Sequence, residues 1–87
     1  MGLGRQAAEK LDLPREVMLD LPLISLTGRE EMTIENHKGL TAYSQEQIRI
    51  ATRAGSLCVS GEGLRLKRLS AECIVIGGQL EKLEFLR

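Results

Sequence analysis

The sequence predicts an all-β domain: a small antiparallel meander that closes into a sandwich or roll, with a short helical arm in front. Three observations carry this. Apolar and polar residues alternate with period two over several short runs. Glycine-bearing turns separate those runs every 8 to 10 residues. No long amphipathic stretch follows Pro14 that could serve as the helix of a parallel βαβ crossover.

The arm comes first. Leu3, Ala7, Ala8 and Leu11 fall on one helical stripe, and Pro14 ends it because the residue before a proline is pushed out of the α region. The expected division is therefore a helical arm over 1–13 and a single β domain over 14–87. Pro22 cannot donate to a strand ladder, so it stands before a strand at about 23–27, which Gly28 ends. A second strand over 31–35 has Met32 and Ile34 on one face. Asn36 to Gly39 reads as a hairpin corner, because Asn and Gly both tolerate positive φ, and the next strand begins at Leu40. Ser44, with Gln47 three residues later, suits a turn or one-turn helix.

From there QIRIAT (47–52) places Ile48 and Ile50 on one face, and SLCVS (56–60) does the same with Leu57 and Val59. Gly61-Glu62-Gly63 reads as a turn, and LRLK (64–67) turns Leu64 and Leu66 inward. ECIVI (72–76) follows, then Gly77-Gly78 as a two-residue hairpin turn, then a last strand around 80–86. A leucine comes just after each of several turn glycines, as expected where glycine supplies an unusual φ and leucine restarts the inward face.

Composition narrows the function classes. The chain has 87 residues, enough for one domain with a thin stability margin. Hydrophobic residues are 43% but aromatics only 2%, so the core is aliphatic, and Tyr43 and Phe85 are the only rings on which a base could stack. Twelve basic residues balance twelve acidic ones, which argues against nucleic-acid binding and leaves copies free to associate without net repulsion. No stretch resembles a signal peptide or a membrane span, so the expectation is a cytoplasmic protein with Cys58 and Cys73 as free thiols.

Catalytic and metal sites are not expected, nor is a cofactor. His37 is the single histidine, and a metal or catalytic role would need partners that only Glu30, Glu31 and Glu35 offer nearby. Gly61-Glu62-Gly63 lacks the third glycine and following helix of a dinucleotide loop. Scattered serines and threonines sit in no nucleophile elbow. Two candidate partner surfaces stand out. Arg49, Arg53, Arg65 and Lys67 gather on one sheet face if the strands pair in sequence order, and could meet an acidic protein or anionic surface. Leu83 and Phe85 share a face of the terminal strand with Glu81, a possible edge for adding another chain.

Taken together, TG at 27–28, IENHKGL at 34–40, Tyr43-Ser44, IRIAT at 48–52, GEGLRLKRL at 61–69 and IVIGG at 74–78 resemble the YabP/YqfC family of sporulation proteins. The preamble VMLDLPLISLTG (17–28) looks like the YqfC branch, and the match covers about residues 11 to 86. The resemblance implies a non-enzymatic protein of the mother cell of an endospore-forming bacterium, with a role in spore coat or envelope assembly. It also implies a membrane-anchored partner of the YqfD type.

Two readings follow. The first is a structural or adaptor module that acts through self-association, as a homo-oligomer, or through that membrane partner, with an exchanged arm as one route to a dimer. The alternative is a small-ligand or anion-binding β domain using a basic sheet face.

Overall fold

The computed structural model describes residues 19–87. The helical arm expected over 1–13, and its boundary with the β domain, lie outside the described residues. Six strands form one antiparallel sheet: β1 (Leu23–Thr27), β2 (Glu31–Glu35), β3 (Gly39–Tyr43), β4 (Gln47–Thr52), β5 (Gly55–Leu69) and β6 (Cys73–Leu86). Their spatial order is β1-β2-β6-β5-β4-β3.

The all-β class and the first four strands follow the alternation. Met32 and Ile34 in β2, and Ile48 and Ile50 in β4, are fully buried, and their neighbours along the strands are more exposed. Each such side chain contributes about 1.5–3 kcal/mol on burial.

The topology departs from the expected meander in three places. First, Gly61-Glu62-Gly63 is not a hairpin turn. The two expected strands on either side of it are one 15-residue strand, β5, with a register shift between Glu62 and Arg65. Second, Gly77-Gly78 is not a turn either, because β6 runs through it for 14 residues. A turn would return each chain onto its own preceding segment. Here both segments of β5 find their partners in β6 instead: Ser56–Ser60 opposite Leu86–Lys82, and Arg65–Leu69 opposite Gly77–Ile74. The glycines bend continuous strands. Third, β2 and β3 are not a hairpin. β2 pairs with β1 and with the start of β6, while β3 pairs only with β4.

The bends divide the sheet into two leaves. One holds β1, β2, the start of β6 and the end of β5, and the other holds the end of β6, the start of β5, β4 and β3. Met32, Ile34, Ile74 and Ile76 from the first leaf share one buried cluster with Ile48, Ile50, Leu57 and Val59 from the second. The sheet thus folds over a single aliphatic core but does not close, since β1 and β3, at the ends of the order, do not pair.

Close backbone contact at the bends requires glycine. A Cβ on Gly61 would lie 2.0 Å from the Gln79 carbonyl oxygen, and one on Gly78 (φ +130°) would lie 2.6 Å from that of Gly63. Each bend is also tied to a neighbouring turn. Leu80 N–H donates to Arg29 O (2.8 Å) and Gly78 N–H to Glu30 O (3.2 Å), bringing the β1–β2 turn onto β6. Leu64 N–H donates to Gln45 O (2.8 Å) and Gly61 N–H to Glu46 O (3.0 Å), bringing the β3–β4 turn onto β5. In that second turn Ser44 Oγ accepts from Gln47 N–H (3.0 Å), so the expected turn forms without a helix.

Candidate functional site

The crossover from β2 to β3 carries Asn36, His37 and Lys38 from one leaf to the other. Its backbone is anchored at both ends: Asn36 N–H donates to Glu72 O (2.8 Å), and Lys38 N–H to Ala51 O (2.7 Å). Asn36 adopts φ +62°, a conformation its short polar side chain tolerates. That side chain donates from Nδ2 to the Asp20 carboxylate (3.1 Å) and to Leu21 O (3.0 Å).

His37 is only 7% exposed. Its Nδ1 accepts from Gly39 N–H at 2.9 Å, so Nε2 carries the proton and donates to Ser70 O at 2.8 Å. Both ring nitrogens are engaged by backbone, and the imidazole acts as a strut between the crossover and the β5–β6 turn. Lys38 Nζ reaches Asp20 Oδ1 at 2.9 Å. Hydrogen bonds from Lys38 and then Asn36, aided by the charges of Lys38 and Arg53, hold the Asp20 carboxyl below its ordinary value of 3.8. The segment IENHKGL is therefore a clasp joining the chain before β1, the β5–β6 turn and β4. The sequence pointed to the positive φ of Asn36 but not to Asp20, whose role needs a partner sixteen residues away.

The four basic residues do not form one patch. Arg65 and Lys67 come together over Gly77, where the Lys67 stem fills the space a Cβ would take. Lys67 is paired with Glu31 at 2.6 Å across the leaf. Arg49 stands on the outward side of the other leaf, in register with Cys58, and Arg53 lies in the β4–β5 turn beside the clasp. The expected single basic face required residues 64–67 to turn back beside 56–60; because β5 runs on through Gly61-Glu62-Gly63, Arg65 and Lys67 lie in the half of β5 that pairs with the start of β6 and not beside β4.

Leu83 and Phe85 do share a face, as expected, and it is the inward one, opposite Val59 and Leu57. Glu81 does not join them in simple alternation. Ser60 pairs with Lys82 and Gly61 with Leu80, which leaves Glu81 as the extra residue of a bulge. Although they face inward, Leu83 and Phe85 are 40% and 48% exposed, because the first leaf does not extend over them. Across the gap stands Leu26 of β1, 56% exposed. An open cavity of about 180 Å³ lies between, lined by Leu26, Met32, Val59, Leu80 and Leu83, with Arg29 and Lys82 also on its wall. Leu26 was missed as a site residue. The available signal was its alternation with Ile24, which assigns it to the core face but not to an uncovered part of it.

Cys58 and Cys73 are free, the first buried and the second partly exposed. Among the described residues, no cluster of three or more His, Cys, Asp or Glu could hold a metal ion, and no helix is long and apolar enough to cross a membrane.

A family model described as the YabP family matches residues 21–87. The uncharacterized protein YqfC of Bacillus subtilis (strain 168) is 33% identical over 76 residues, 87% of this chain and 82% of that protein. On the extent of both matches, the chain belongs to the YabP family.

Proposed function

We propose that this protein is a non-enzymatic structural or adaptor component of endospore formation, acting in the mother-cell cytoplasm at the forespore envelope. Its activity is protein–protein association, with itself or with a membrane-anchored sporulation protein of the YqfD type. Family membership supports the sporulation setting. The observation that supports association is the open apolar mouth between Leu26 and Leu83, with Phe85 further along the same face of β6; each of the three is at least 40% exposed. Apolar side chains grouped on one uncovered face mark interaction surfaces in soluble domains. The anion-binding alternative finds less support, because Lys67 is already paired with Glu31 and Arg49 and Arg53 stand away from Arg65.

The test is genetic and biochemical. In a sporulating strain lacking the protein, wild type should restore spore formation, and Leu83→Lys with Phe85→Lys should not, although the variant accumulates and folds. The cytoplasmic part of the YqfD-type protein should co-purify with wild type and not with this variant. Full complementation by the variant would refute the reading.

A further inference from the structure

The free edge of β6 has a charge pattern that is complementary to itself. Beyond Leu80, no strand among the described residues pairs with β6 on the side away from β5. Along that edge run Lys82, Leu83, Glu84 and Phe85, with Leu83 and Phe85 on the inward face and Lys82 and Glu84 on the outward face. Lys82 is exposed and Glu84 half-buried, and their side chains lie 3.4 Å apart in the same chain.

An exposed edge strand is a template for further pairing, and charges on it ordinarily block that. This pattern blocks selectively. When an antiparallel edge meets its own copy about a two-fold axis normal to the sheet, facing residues must point to the same side, so one residue faces itself. Centring on Lys82 or on Glu84 sets like charges face to face. Centring on Leu83 sets Lys82 against Glu84 of the second copy, twice by symmetry, and Leu83 against Leu83.

We propose that two copies of this chain join along the C-terminal half of β6, antiparallel and centred on Leu83, continuing the second leaf from one copy into the other. The second copy brings its own exposed Leu83 and Phe85 to the open mouth beside Leu26, so apolar surface from both copies leaves water together. A net charge of zero adds no long-range repulsion to this approach. The inference rests on the self-association reading and gives it a surface and a register.

The experiment is light scattering of the full chain and of two charge reversals, each checked for native circular dichroism. Wild type should run at twice the 9.6 kDa chain mass and dissociate on dilution. Lys82→Glu and Glu84→Lys should each weaken the dimer about tenfold or more, since each sets like charges opposite one another in both symmetric pairs. Mixed in equal amounts, they should recover the wild-type dimer mass. In the mixture every interchain pair is again opposite in sign, while within each chain the two side chains remain alike. Recovery therefore cannot come from the intrachain pair.

A wild type that dimerises regardless of either reversal would overturn the β6 register and leave self-association standing. A wild type that is monomeric throughout would overturn both, leaving the membrane partner as the remaining form of the adaptor reading. Variants that weaken the dimer but fail to recover on mixing would also overturn the register.

Discussion

His37 Nε2 donates to the carbonyl of Ser70 at 2.8 Å, while Nδ1 accepts from Gly39 two residues on. One neutral ring thus satisfies two backbone groups belonging to different loops. Replacing it with alanine leaves both without a protein partner in half-buried surroundings. From about 1–3 kcal/mol per unpaired buried group, discounted because Gly39 and Ser70 are only half-buried, His37→Ala should destabilise by about 2–4 kcal/mol in denaturant unfolding. A loss below about 1 kcal/mol would show that water replaces the ring easily and that the clasp contributes little.

The two glycines of GEG should behave differently. Gly63 needs positive φ (+60°) but has open space around its missing side chain, so Gly63→Ala should cost only about 1–2 kcal/mol. Gly61 faces the Gln79 carbonyl at a distance no Cβ can occupy. Gly61→Ala has to push β5 and β6 apart, and should cost at least about 3 kcal/mol or prevent folding. Thermal melts of the two variants measure the difference, and equal losses would mean that the bend is not held as tightly as described.

Asp20 gives a pH signature. Its carboxyl is held low in the folded chain, chiefly by Lys38, so its ionised form favours the fold. The contribution is fully present above the unfolded value near 3.9 and disappears as pH falls through the lower folded value. Wild type should therefore be more stable than Asp20→Asn at neutral pH, by a small margin since the group is solvent-exposed. The gap should begin to close below about pH 4 and go on closing as pH falls through the lower folded value. Unfolding midpoints measured from pH 7 down to about pH 3 test this, and a gap that does not narrow at the acid end would assign the effect to hydrogen bonding that does not depend on the charge.

The thiols should separate by access. Cys58 is fully buried and Cys73 is not. With an aromatic disulfide reagent, native protein should release about one equivalent, and the second only on unfolding. Cys73→Ser should abolish the native reaction. Rapid reaction of both thiols would show that the face bearing Cys58 opens readily.

Much of this protein was legible in the sequence because strand faces are a local property. Ile48 and Ile50, Leu57 and Val59, and Met32 and Ile34 alternate with polar neighbours, and a pleated backbone converts that alternation into an inside and an outside whatever the partner strand is. The family is likewise carried by the order of short segments along the chain. Pairing is a different matter. A glycine supplies the φ or the clearance that a reversal needs and equally that a bend needs, so GEG and GG read as turns until their flanking segments choose partners. That choice was made at long range, where Ile34 meets Ile74 and Met32 meets Ile76, and the buried area gained by placing β6 beside β2 overrides the nearer hairpin. From this decision follow the crossover that His37 secures and the stretch of inward surface at Leu83 and Phe85 that the first leaf leaves uncovered, while the run of β5 through GEG divides the basic residues between two leaves. Alternation along each strand settles which residues face the core; which of those the core covers is a long-range outcome, because coverage depends on where the opposite leaf ends.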